Sequence, residues 1–298
     1  MKQQLSDAPV QQSTYVGNVR KSEWVILAFL VYAAVLSLFL PVALFIRYWV
    51  ILLNLAVLAG YSLLIHFDRR MKASTFGIIR DALTQALVIL AYREMGWFAQ
   101  PHLNHHLENT WVAWDRMVLR GGGRAVIEFI GPVLPSLLEI SYGLVYAMAP
   151  FAVVMLYVYH RRERVDQLLF VFTLGVLLCY GQFPFWPSDP PRVLFAGEDL
   201  PSYLTVFRRF NLWMLGNYGI HTSVFPSAHV AGAFAIAFGA SRVLPEQRWV
   251  GRFLLAMAIL IAAATVYGRY HYLVDAVAGF VAALIGLAVG RALAGARL

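Results

Sequence analysis

His271 and Asp275 stand four residues apart in the stretch Gly268-Arg269-Tyr270-His271-Tyr272-Leu273-Val274-Asp275. On a helix, that spacing puts both side chains on one face. The carboxylate can accept from one imidazole nitrogen, fix the tautomer and leave the other nitrogen as a nucleophile. A second stretch, Phe225-Pro226-Ser227-Ala228-His229, opens an apolar run. Proline suits the first turn of a helix, where its missing N–H is not needed. The free backbone N–H groups near Ser227 and His229 then make a ready anion site. Two histidines, an aspartate and nearby arginines point to a phosphate site with a covalent histidine intermediate.

The elements that position these residues follow from composition. The chain has 298 residues, 60% of them hydrophobic and 13% charged, with a mean hydropathy of +0.65. Soluble domains run at about 45–50% apolar and about 25% charged, so an ordinary soluble enzyme and a disordered chain are both excluded. The short alternating segments of a β-barrel are missing. The expected fold is all-α: a polytopic transmembrane helix bundle of about eight spans. The candidates are 24–46, 48–67, 79–97, 139–159, 167–186, 226–243, 250–267 and 272–289, each near the about 20 residues a spanning helix needs. The third is the weakest, because Arg80, Asp81, Gln85 and Arg93 interrupt it. Segment 126–138 is apolar but short and holds Pro132 and Pro135, so it reads as interfacial or re-entrant. The first apolar run follows a polar tail and is long enough to span, unlike a cleavable signal.

Orientation follows from the basic residues. With the N-terminus in the cytoplasm, fifteen of the 24 Lys and Arg lie inside, concentrated in short connectors. The two longest loops, 98–138 and 187–225, lie outside. That is the positive-inside pattern, with both termini cytoplasmic and both candidate stretches at the extracytoplasmic face of a plasma or inner membrane. The expected organisation is a cytoplasmic tail at 1–22, N-terminal transmembrane helices at 23–97, and a catalytic membrane domain at 98–298. The net charge of +8 forms no basic stripe, so no nucleic-acid partner is expected. The lone cysteine, Cys179, rules out an intrachain disulfide.

These motifs resemble the type 2 phosphatidic acid phosphatase superfamily. Pro226-Ser227-Ala228-His229 is similar to that family's Pro-Ser-Gly-His motif, with Ala for Gly. His271 and Asp275 match its last motif, Ser-Arg, five residues, His, three residues, Asp, followed by a similar 276–279 stretch. The Ser-Arg positions are Ala264 and Thr265 here, and Arg269 is offered as the substitute. In place of the family's Lys-x6-Arg-Pro stands Pro187-Ser188-Asp189-Pro190-Pro191-Arg192. That variant, with the Asp115-Arg116 loop, resembles the branch containing inositol phosphorylceramide synthases. The resemblance is strong over 187–280, weaker over 98–160 and negligible before residue 75.

The resemblance implies that six spans form a phosphatase-like core. It also implies a nucleophile at His271, an orienting Asp275, and His229 as acid and then base. Arg192, Arg269 and the Ser227 region would hold the phosphoryl oxygens. The expected substrate is a membrane phospholipid or lipid phosphate, with a lipid alcohol or water as acceptor. Transfer of a phospho-head group between lipids is the first reading. A lipid phosphate phosphatase of phosphatidic acid or prenyl diphosphate type is the alternative. A non-catalytic scramblase or transporter is the rival from another class.

No cofactor and no metal are expected. His102 and His106 have the i, i+4 spacing of a zinc helix, but Pro101 and Asn104 suggest a loop. Gly121-Gly122-Gly123 lacks a following Lys-Ser/Thr and reads as a turn. Arg208 and Arg209 are adjacent, so one helix face cannot present both to one phosphate, and neither is assigned to the site.

Overall fold

The computed structural model describes residues 18–71, 74–99, 102–220 and 222–295. Most of the expected tail at 1–22 lies outside the described residues. The described chain is all-α. Three long helices come first: α1 (Lys21–Phe39), α2 (Leu44–Met71) and α3 (Ser74–Phe98). α4 (His106–Val118) runs through a π-helical turn (Leu119–Gly123) into α5 (Arg124–Glu128). α6 (Val133–Gly143) and α7 (Val145–Val158) are followed by α8 (Val165–Tyr180). Two short outer pieces, α9 (Pro191–Leu194) and α10 (Val206–Tyr218), precede α11 (Ala228–Val243), α12 (Arg248–Tyr267) and α13 (Leu273–Gly295).

Among the described residues, α1, α2, α3, α12 and α13 are long and apolar enough to cross a membrane. The bent pair formed by α4–α5 and α6 makes a sixth if taken as one span, and α7 and α11 are apolar but shorter. The protein is an integral membrane protein on this evidence. The bend is 105° and falls at Phe129–Pro132, inside the segment read as interfacial or re-entrant. Gly122 sits at φ +116, where only glycine is at ease, and kinks the chain inside the triple-glycine turn.

Three sequence boundaries are corrected. The first span ends at Phe39 rather than near residue 46, because the residue before Pro41 is pushed out of the helical region; α2 correspondingly starts at Leu44. Pro226 lies ahead of α11 rather than in its first turn, with a cis Phe225–Pro226 bond and Ser227 as the capping residue. Asp115 and Arg116 belong to α4, not to a loop.

α11 is the central helix, packed by α8, α12 and α13. Its run of alanines is buried nearly all round, and small side chains let neighbouring backbones come close. α1 and α3 dock on the other side of α8. Two of the charges that weaken α3 in the sequence, Arg80 and Asp81, are buried between helices. Arg80 is fully buried, 2.6 Å from Glu23 and paired also with Asp68. Asp81 takes Arg20 and the Tyr157 hydroxyl. Asp166 accepts from the N–H and hydroxyl of Ser22 at the start of α1, where a helix favours negative charge.

The basic residues of loop 98–138 are neutralised. Arg116 pairs with Glu198 and Asp199, Arg120 with Asp199, and Arg124 with Glu128. They tie the α4–α5 segment to the 198–202 loop. The Arg120 hydrogen bond, helped by Arg116, holds the Asp199 carboxyl down to about 2.

Candidate active site

α12 and α13 are joined by a reversal at Gly268–Tyr272. Arg269 makes the turn with φ +61, a strained conformation for a residue with a Cβ. The N–H groups of Tyr270 and His271 donate back to the Thr265 carbonyl at 2.9 and 3.0 Å, fixing the turn. Thr265 is one of the two positions where the sequence motif lacks its Ser-Arg pair, and here its role is a backbone one. Asp275, in the first turn of α13, is fully buried. Its Oδ2 accepts from the Tyr272 N–H at 2.9 Å and meets His271 Nδ1 at 3.3 Å. That leaves His271 Nε2 as the nitrogen without the carboxylate.

α11 begins against the same turn. The Ser227 N–H donates to the Asp275 carbonyl at 3.0 Å, and Ser227 Oγ accepts from Val230 N at 3.4 Å as the helix cap. Gly279 faces the Ser227 carbonyl, where a Cβ would lie only 2.3 Å away. His229 follows in the first turn of α11. Its ring lies 5.6 Å from the His271 ring, centroid to centroid. Tyr142 stacks on it at 5.2 Å, and the Tyr146 hydroxyl lies 3.2 Å from Nε2.

Arg192 is hung on the same turn. Its N–H donates to the Arg269 carbonyl at 3.0 Å and its Nη1 to the Tyr270 carbonyl at 3.3 Å. Arg192, His229 and His271 line one cavity of about 330 Å³. Apolar side chains including Val88, Met148, Phe172 and Val176 line the same cavity. Such a space suits a polar head attached to a hydrocarbon chain.

Arg269 and Asp275 are not among the residues lining this cavity. Arg269 is fully buried, with Nη1 2.7 Å from Asp115 Oδ2, and its Nε and Nη2 have no hydrogen-bond partner among the described residues. Asp115 Oδ1 also accepts from the Leu273 N–H at 2.8 Å, so it caps α13.

Sequence reasoning did not find the support around this pair. Arg208 is buried while Arg209 is exposed. Arg208 lies 2.9 Å from Glu139 and donates to the Gly268 carbonyl from both Nη1 and Nη2. Tyr270 gives its hydroxyl to Glu139 at 2.6 Å and stacks on Tyr142 at 4.1 Å. Acidic residues inside apolar runs, Glu139 above all, were the available signal, because a lone charge in a span needs a partner.

The fold and site together define an all-α membrane protein with two histidines and an arginine converging on one cavity. The chain belongs to the PAP2 superfamily, whose profile matches residues 129–289. That stretch runs from the bend before α6 into α13 and holds His229, His271, Asp275, Arg192, Arg269 and Ser227. The chain is also similar to a PA-phosphatase related-family protein of Dictyostelium discoideum, at 42% identity over 105 residues. The similar region covers 33% of this chain and 18% of that relative. No solved structure matches the chain.

Proposed function

We propose that the protein is a lipid phosphoesterase and phosphotransferase that works through a phosphohistidine on His271. The observation that carries this reading is the facing of His229 and His271, 5.6 Å apart, in a cavity that Arg192 also lines. His271 Nε2 attacks phosphorus, and the bond from phosphorus to the leaving oxygen breaks. His229, protonated, gives its proton to that oxygen. In the second half, His229 takes the proton of the acceptor hydroxyl, the acceptor oxygen attacks phosphorus and the P–N bond breaks. Asp275 holds the ring and stabilises its positive charge. Arg192 and the N–H groups of the first turn of α11 hold the phosphoryl oxygens, where charge develops. The Ser227 N–H is committed to Asp275, so Ala228 and His229 supply those donors. Arg269 adds positive charge from the layer beneath, where Asp115 holds it.

The acceptor in this reading is a lipid alcohol, so a phospho-head group passes between lipids, as in the inositol phosphorylceramide synthase-like branch. The motif departures at Ala264–Thr265 and 187–192 support it. Hydrolysis is the second reading, favoured by the name of the Dictyostelium relative, a PA-phosphatase related-family protein. The reaction is assigned to the extracytoplasmic leaflet. The basic connectors at Arg161–Arg164 and Arg248 lie at the far end of α11, whose 16 residues span about 24 Å.

The deciding experiment incubates purified protein with labelled phospholipids and lipid phosphates, with and without ceramide or diacylglycerol. Expected are a labelled head-group product that requires the lipid alcohol, vanadate sensitivity, and an acid-labile label on His271. Phosphate release without the alcohol would select hydrolysis. Neither release nor transfer, or a label on another residue, would overturn the mechanism.

A further inference from the structure

We propose a divalent-metal site, of the zinc type, held by His102, His105 and Asp189 beside the proposed catalytic cavity. One ligand atom from each of these three residues lies within 4.8 Å of the others. The pairing differs from the one that sequence spacing offered. His106 is exposed and is not part of the group, whereas His102 and His105 bring their rings to 4.8 Å. Two imidazoles and a carboxylate are the protein ligand set of many open zinc sites, with water in the fourth position.

The second observation is Glu108, a residue with no solvent exposure. Its Oε1 lies 2.5 Å from His102 Nε2 and 3.3 Å from His105 Nδ1. A carboxylate that accepts one N–H from each of two histidines is the usual support behind zinc ligands, because it fixes which nitrogen is left bare. The bare nitrogens are then His102 Nδ1 and His105 Nε2. His102 Nδ1 is buried with no hydrogen-bond partner, and so is Glu108 Oε2. An orphaned buried acceptor is unfavourable, and a metal on His102 Nδ1 removes one of them. With bonds of about 2.0–2.1 Å, tetrahedral ligand atoms stand about 3.4 Å apart. One nitrogen of each histidine and one Asp189 oxygen already lie within 4.8 Å of one another, and the His105 side chain, 28% exposed, has room to turn its bare nitrogen to the metal.

The metal would act as a clamp. Asp189 lies three residues before Arg192. Its N–H donates to Glu108 at 3.2 Å, and its carbonyl accepts the Tyr272 hydroxyl at 2.9 Å. Tyr272 in turn donates its N–H to Asp275. Metal binding therefore pins the 102–108 stretch to the loop that carries Arg192, and stands independently of the reaction proposed above.

The test uses the full chain, purified in detergent with a tag free of histidine, stripped by chelator, reloaded with zinc and desalted. Elemental analysis should find about one zinc per chain in wild type and in His106→Ala. His102→Ala and His105→Ala should retain at least tenfold less, and Glu108→Gln should bind about 10–100-fold more weakly. Cobalt loading should give tetrahedral visible bands in wild type and His106→Ala, and none in His102→Ala or His105→Ala. No retained zinc in wild type, or equal retention by His105→Ala, would overturn the site. Should the alanine variants fail to fold, the wild type decides: its Tm should rise with zinc, and a folded stripped protein whose Tm does not move refutes the proposal.

Discussion

Gly279→Ala probes the contact that brings the two histidines together. A methyl there would lie 2.3 Å from the Ser227 carbonyl oxygen, and 3.2 Å from both the Ser227 carbonyl carbon and Ala231 N. These are backbone atoms and cannot rotate away. Ordinary contact begins at 3.4 Å, so α13 must retreat from α11 by about 1 Å, at an overpacking cost of about 1–3 kcal/mol. The retreat stretches the bond from the Ser227 N–H to the Asp275 carbonyl, now 3.0 Å. It also shifts His271, just ahead of α13, relative to His229 on α11. A displacement of that size between reacting groups costs on the order of 10²-fold in rate. The assay is turnover of the best phospholipid substrate by purified protein, with Tm measured in the same detergent. Gly60→Ala is the control: nothing lies within 4 Å of its added methyl, and it should keep full rate and gain up to about 1 kcal/mol of helix stability. Gly279→Ala with wild-type turnover and wild-type Tm would refute the close-approach argument.

Removing the nucleophile in His271→Ala should abolish turnover and the covalent label while leaving Tm near wild type. Asp275→Asn should slow turnover by roughly 10²–10⁴, the scale for losing the group that orients a catalytic histidine. Tyr146→Phe removes the hydroxyl beside His229 Nε2 and should lower kcat about fivefold, the worth of one hydrogen bond of about 1 kcal/mol. For sidedness, Ala196→Cys in a Cys179→Ser background should react with an impermeant thiol reagent in sealed cells, and Gln247→Cys should not; the reverse pattern moves the chemistry to the cytoplasmic leaflet. The Asp199 tether has a signed pH dependence. Because its folded pKa is depressed to about 2, its stabilisation is full above the unfolded value of about 3.9 and fades as pH falls toward 2. Amide protection factors in residues 195–202, taken relative to the intrinsic exchange rate at each pH, should hold at pH 5 and fall only in that acid window.

Hydropathy alone was enough to make the protein an all-α membrane bundle, because a chain in lipid must satisfy its backbone within helices. Short local signals also marked the bend at Phe129–Pro132 and the His271–Asp275 pair, since prolines and an i, i+4 spacing act within a few residues. The contacts between elements were a different matter. Nothing in the order of residues says that Arg208 rather than Arg209 turns inward to Glu139, 69 residues away. Nor does it say that Asp115 spans 154 residues to hold Arg269, or that Asp189 joins His102 and His105. Pro101 and Asn104 marked the 102–105 stretch as a loop, but only the packing brings His102 and His105, rather than His102 and His106, against Glu108. Those choices belong to the tertiary structure because a buried charge must find its partner wherever the packed helices bring one, and that pairing carries no periodicity along the chain.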